Sequence, residues 1–209
     1  MLHIYGDSHA DFSFRDLNMA HQNHRLYSIT MHRIGRDRII PNFDPRRHTP
    51  NDILCFVYGE IDCRCHIQRQ IDAGRDEDQI IQELVTKYVA TVRNVLSITG
   101  ARAILLGVIP PTEQAEYERL NGPITHEFPF VGTDADRVRY TRKVNALLSQ
   151  LSSSNEYTYL YPYGKYEREN GTLKYEYSDN LVHLGKGHNG AFLDEFYASI
   201  SNNMSSVSK

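Results

Sequence analysis

Three features of the sequence predict an α/β domain, a parallel sheet covered by helices on both faces. Short apolar runs alternate with segments of helical period, and Gly, Pro, Asp or Asn stand at the boundaries between them. The apolar runs are residues 2–5, 27–31, 53–58, 103–108 and 157–161, read as five strands. Between the third and fourth lies 76–99, where Ile80, Ile81, Leu84, Val85, Tyr88, Val89, Val92, Val95 and Leu96 recur at helical spacing and Gly100 closes the run. A second helix is predicted over 134–151, with Val138, Val144, Leu147, Leu148 and Leu151 as its apolar stripe. A third covers 189–200, and another should fill 12–24. Helices between strands supply the crossovers that parallel pairing requires. Residues 41–51 and 110–133 fit no element; each follows a strand and is rich in Pro, Arg or charge, where such sheets bind ligands. Residues 202–209 read as a frayed tail behind one domain, 1–201.

A chain of 209 residues suits one core. Its 23 Lys and Arg against 26 Asp and Glu give a net charge of −3, without the basic excess that phosphate-backbone binding uses, so no nucleic-acid partner is expected. No apolar run approaches the roughly 20 residues of a membrane span, and no charged-then-apolar leader opens the chain. Three cysteines, with Cys63 and Cys65 too close for an ordinary disulfide framework, favour reduced thiols and a cytoplasmic location. Membrane association is not expected.

Ser8 follows the first strand in Gly6-Asp7-Ser8-His9 and precedes a helix. There the turn's N–H groups and the helix dipole would favour an oxyanion, although a capping serine in a turn looks the same. The far end adds Asp179 and His183 in Ser178-Asp179-Asn180-Leu181-Val182-His183. An acid a few residues before a histidine can fix its tautomer while the ring takes a serine proton.

On these residues the chain resembles the SGNH, or GDSL-like, hydrolases, serine esterases and lipases with a three-layer flavodoxin-like fold. The resemblance implies sheet order 2-1-3-4-5, Ser8 as nucleophile, His183 as base and Gly35 as a backbone oxyanion donor. Residues 101–111 resemble the family's fourth strand and proline turn. Its third block, Gly-x-Asn-Asp, corresponds to Gly59-Glu60-Ile61-Asp62, with isoleucine where the family's asparagine donates to the oxyanion. Arg64 could replace that donor; its alternative is a surface ion pair. In the fifth block the family's Asp-x-x-His register falls on Asn180. Asp179 is assigned to orient His183, with Asn180 and Glu176 as alternatives. Glu60 and Asp62 are expected to shape the site, because a carboxylate of ordinary pKa near 4 is a poor base at neutral pH.

Other readings compete. Asp7-x-His9 also resembles the opening motif of calcineurin-like phosphoesterases, but their Gly-Asn-His block has no counterpart in 101–111. Cys63, Cys65 and His66 are soft ligands at the wrong spacing for zinc. His188 is a fallback base. The tyrosines of 157–166 suit packing better than sugar stacking. The expected function is therefore an SGNH-type serine esterase acting on a small polar ester such as an O-acylated sugar, with no cofactor and no metal. The alternative is an SGNH-like protein of altered chemistry that binds or processes glycans.

Overall fold

The structure is a computed structural model, which describes residues 1–125, 127–152 and 157–205 (backbone alone for 202–205). In chain order the elements are β1 (Leu2–Gly6), α1 (Ser8–Phe14), β2 (His21–Asn23), α2 (Met31–Asp37), β3 (Ile53–Val57), α3 (Ile67–Asp72), α4 (Glu77–Thr99), β4 (Arg102–Leu106), α5 (Gln114–Asn121), α6 (Asp134–Leu151), β5 (Thr158–Leu160) and α7 (Gly190–Ser205). A π-helical turn, Asp62–His66, leads into α3. All strands pair in parallel, in the order β2-β1-β3-β4-β5. The fold class and strand order expected from the sequence are both observed.

Alternation along the strands builds two cores. Tyr5, Leu54, Phe56, Ala103 and Leu105 face α2, α4 and α6. Leu2, Ile4, Ile53, Cys55, Val57, Ile104 and Leu106 face α1 and α7. The long helices lie where their periodicity predicts. Asp76 caps α4 by accepting from Gln79 N–H, and Gly100 ends it in the left-handed region at φ 66°. Thr133 and Asp136 form a reciprocal capping box on α6. The last helix extends to Ser205, into the segment expected as a tail; residues 206–209 lie outside the described residues.

Two elements near the N-terminus differ from expectation. The helix over 12–24 is α1 alone, which stops at Phe14, and His21–Asn23 becomes the edge strand β2, with Leu2 opposite His21. The second strand expected at 27–31 is a turn leading into α2. Ser28 takes φ 61°, and the Thr30 side chain accepts from Arg33 N–H as the helix cap. An edge strand of three polar residues has no buried face to impose alternation, so its sequence carries no strand signal.

Candidate active site

The site assembles beyond the C-terminal ends of β1 and β3. Asp7 caps α1 by accepting from the backbone N–H of His9 at 2.9 Å, which makes Ser8 the first helical residue. Opposite it, the chain closes a tight loop: Asp179 N–H donates to the His183 carbonyl at 3.0 Å, with Asn180 at φ 66°. One carboxylate oxygen of Asp179 accepts from Leu181 N–H and His183 N–H; the other lies 2.8 Å from His183 Nδ1. His183 Nε2 in turn lies 2.8 Å from Ser8 Oγ. The extra residue relative to Asp-x-x-His is thus absorbed in a turn. The Asn180 backbone carbonyl accepts from Asn121 and Tyr175, Glu176 reaches Arg168, and among the described hydrogen bonds it is Asp179, not either alternative, that meets the His183 ring. His188 bonds through its backbone carbonyl to Tyr166, away from Ser8.

Burial lowers the pKa of His183, and the facing Asp179 only partly opposes that; the charge of His9 adds to the lowering. Burial would raise Asp179, but its hydrogen bonds from His183 and Leu181 outweigh this and hold it below the usual carboxylate range. A deprotonated Asp179 needs a proton on His183 Nδ1, which leaves the Nε2 lone pair to accept from the Ser8 hydroxyl. Phe12 stacks on the His183 ring at 4.1 Å and 10°.

His9 is a second ring beside His183, its centroid 4.6 Å away and tilted by 50°. Its Nδ1 lies 3.0 Å from Asp7 Oδ1 and its Nε2 3.2 Å from the Val182 carbonyl. Both neighbours are acceptors, so only a doubly protonated ring satisfies both. Burial pushes His9 toward the neutral form, but the charge and hydrogen bond of Asp7, with help from Glu60 and Val182, lift its pKa to about 9. With both nitrogens committed in this way, Asp7 and His9 form an ion pair with each other, which does not fit the phosphoesterase reading.

The other expected site residues divide. Arg64 and Ile61 line a cleft of about 190 Å³ with Ser8 and His183; Tyr27, Tyr117, Ile124, Phe128 and Leu181 make its wall largely apolar. Arg64 is nearly buried, with Nε 2.8 Å from Glu60 Oε1 and Nη1 donating to the Phe128 carbonyl at 2.6 Å. Its ion pair is therefore internal. Glu60 turns away from the cleft, toward Asp7 and His9. Asp62 accepts from Met31 N–H at 2.7 Å and His32 N–H at 3.2 Å, which ties the π turn to the start of α2. Burial raises its pKa to about 7 despite those two bonds. Gly59, at φ 118°, leaves no room for a side chain between Val108 and Met31; its work is the chain reversal after β3. Gly35 is a correction. It lies within α2 against α4, where a Cβ would come within 2.8 Å of Lys87 Cβ, and mid-helix N–H groups serve the helix's own ladder. Ser28 lines the cleft instead, in a left-handed conformation that a serine seldom adopts. The sequence reading missed Ser28, Phe12 and the structural part of His9, and only His9 had a local signal, its place beside Ser8.

Cys63 and Cys65 are buried free thiols, and the edge of His66 meets Phe128; among the described residues they do not converge on a metal position. Two larger cavities, about 310 and 350 Å³, lie beside Tyr159 and between α2 and α4, away from Ser8.

The parallel sheet of order β2-β1-β3-β4-β5, with its helices, has counterparts in fold among solved structures. The chain has the SGNH, or GDSL-like, hydrolase fold. A Streptococcus pneumonia protein with a provisional description as a platelet activating factor aligns at a TM-score of 0.67 and 14% identity, over 95% of this chain and 83% of that one. A GDSL-like lipase from Bacteroides thetaiotaomicron aligns at 0.55 and 13% identity, over 99% and 88%. The aryl esterase of M. smegmatis aligns at 0.52 and 14% identity, over 96% and 98%. At these identities the likeness is one of SGNH-type fold. No protein-family model matches the sequence, and no curated protein sequence does either. Among the described residues no helix is long and apolar enough to cross a membrane.

Proposed function

We propose that this chain is a serine ester hydrolase. The observation that carries the reading is the relay from Ser8 Oγ through His183 to Asp179, with both contacts at 2.8 Å. Ser8 Oγ attacks the acyl carbonyl while His183 Nε2 takes its proton; the imidazolium then gives that proton to the departing alkoxide oxygen. Water repeats the sequence on the acyl-enzyme, and Ser8 is released. Asp179 holds the ring and balances the transient charge.

Ser8 and Ser28 both line the cleft, and their N–H groups are assigned to the oxyanion here, since Ile61 stands where the family has its side-chain donor. Losing one such donor costs about 2.7–4 kcal/mol of transition-state stabilisation, so turnover should be modest. A cleft of about 190 Å³ suits a small ester. Tyr27, Tyr117 and Phe128 offer ring faces to an O-acylated sugar, the substrate class expected from the sequence. The apolar wall favours a second reading, a short-chain or aryl ester. The buried free thiols accord with a reducing, cytoplasmic setting.

A fluorophosphonate probe should label the wild type at Ser8 and leave Ser8→Ala unlabelled, and Ser8→Ala should lose at least about 10³-fold in kcat on p-nitrophenyl acetate. Equal labelling of both proteins would remove the serine mechanism. Comparing acetylated sugars with aryl acetates by kcat/KM then chooses between the two substrate readings.

A further inference from the structure

On the face of β1 that carries His3 and Tyr5, three histidines, an aspartate and a tyrosine gather around residues 41–51, a segment the esterase reading leaves unused. His3 and Tyr5 stand two residues apart on β1 and so emerge on one face of the sheet. His24 follows β2 and stacks on Tyr5 at 4.4 Å. The 3₁₀ turn Pro45–Arg47 delivers His48, and Asp52 immediately precedes β3. His3, His48 and Asp52 are 4%, 9% and 7% exposed, and one ligand atom from each lies within 4.8 Å of the other two.

The ring nitrogens sort themselves into outer and inner. His3 Nδ1 meets His24 Nε2 at 3.1 Å, which leaves His3 Nε2, 3.9 Å from Asp52 Oδ1. His48 Nε2 meets the Tyr5 hydroxyl at 2.8 Å, which leaves Nδ1 buried without a hydrogen-bond partner. A neutral His3 donating to His24 and a neutral His48 donating to Tyr5 both keep a lone pair on the inner nitrogen. Hydrogen bonding explains the outer contacts and leaves the inner nitrogen of His48 without a purpose. Metal-binding histidines are held in just this manner, the far N–H given to a neighbour that fixes the tautomer.

We propose that His3 Nε2, His48 Nδ1 and Asp52 form a site for a first-row divalent cation, zinc above all, with His24 and Tyr5 as its orienting partners. Two imidazoles and a carboxylate suit zinc, whereas calcium and magnesium prefer oxygen alone. Bonds of about 2.0–2.2 Å at tetrahedral angles bring ligand atoms to roughly 3.3 Å from one another, so the separations, now within 4.8 Å, shrink by up to about 1.5 Å around the ion. The Met1 ammonium, 2.7 Å from Asp52 Oδ1, is the cation that the metal displaces, while Thr49 keeps its hold on Oδ2. The site joins β1, the end of β2, the 44–48 turn and the start of β3, and its effect is on stability.

Tag-free full-length protein, stripped with a chelator, is titrated with ZnCl2 at pH 7.5 against a chromophoric competitor. One equivalent should bind in the wild type, with a rise in Tm that follows mass action. His48→Asn and Asp52→Asn should each weaken binding by at least tenfold, and Tyr5→Phe by about tenfold, as loss of an orienting partner does. Hydrolytic activity should stay as in wild type in His48→Asn. Unchanged affinity in His48→Asn, which would mean binding at other histidines, overturns the proposal, as does no stoichiometric binding to wild type. Should the variants fail to fold, zinc-edge X-ray absorption on the wild-type complex decides: two imidazoles with oxygen at about 2.0–2.1 Å support the site, and any shell without two imidazoles refutes it.

Discussion

His183 has three neighbours that hold it: Asp179 at Nδ1, Phe12 stacked on its face and the charged His9 tilted against it. Asp179→Asn keeps the shape but lets the ring adopt the wrong tautomer, so kcat should fall by about 10⁴ while Asn180→Gly and Glu176→Gln stay near wild type. Loss of activity in Glu176→Gln instead would move the acid's role to position 176. His9→Gln removes a positive charge beside the base. The base ionisation in the kcat/KM profile should then shift to higher pH, and an unmoved profile would show His9 to be neutral. The same residue sets a stability trend. Because the folded-state pKa of His9 is raised to about 9 from an unfolded value of 6.5, its contribution is whole below pH 6.5 and is lost as pH rises through about 9. Thermal unfolding should therefore show Tm declining over that window in wild type, with a flatter slope in His9→Gln. Ser8, Asp179 and His183 were legible in the sequence because each stands in a short motif. Phe12 and Ser28 were not, because a stacking ring and a positive φ leave no local signature.

Among the elements, α2 shows how a short helix escapes sequence reading. It has seven residues, three of them charged, and is held by Thr30 and by Asp62, a carboxylate from far along the chain. Its only long-range clue is Gly35, whose absent side chain lets α4 approach. Gly35→Ala should destabilise the fold by about 1–3 kcal/mol through overpacking while the folded fraction keeps its kcat, measured by urea unfolding beside steady-state kinetics. A collapse of kcat at unchanged stability would restore Gly35 to the oxyanion position. The long helices α4 and α6 were legible because each carries several turns of apolar stripe and strong caps. The edge strand β2 carries neither, and its pairing with β1 is fixed by tertiary contact.

Across the whole molecule, the parallel sheet places its working residues along one rim, with Ser8 and His183 175 positions apart in sequence. Alternating apolar runs and crossover helices made that architecture readable; the cleft wall was not, because Tyr117, Ile124 and Phe128 come from a stretch with no periodicity. Since these side chains and Ile61 bound a small volume, Phe128→Ala should lengthen the acyl chain tolerated, seen as a shift of the best p-nitrophenyl ester from two carbons toward longer chains. The loop Asp179–His183 closes on itself through the Asp179 N–H and the doubly engaged Asp179 carboxylate. Acid and base therefore travel together as a cartridge, seated by Thr112 on the Leu181 carbonyl, Asn121 on the Asn180 carbonyl and His9 on the Val182 carbonyl. Whatever loosens those moorings carries His183 away from Ser8 without unmaking the Asp179–His183 couple, so displacement and disassembly of the site become separate events.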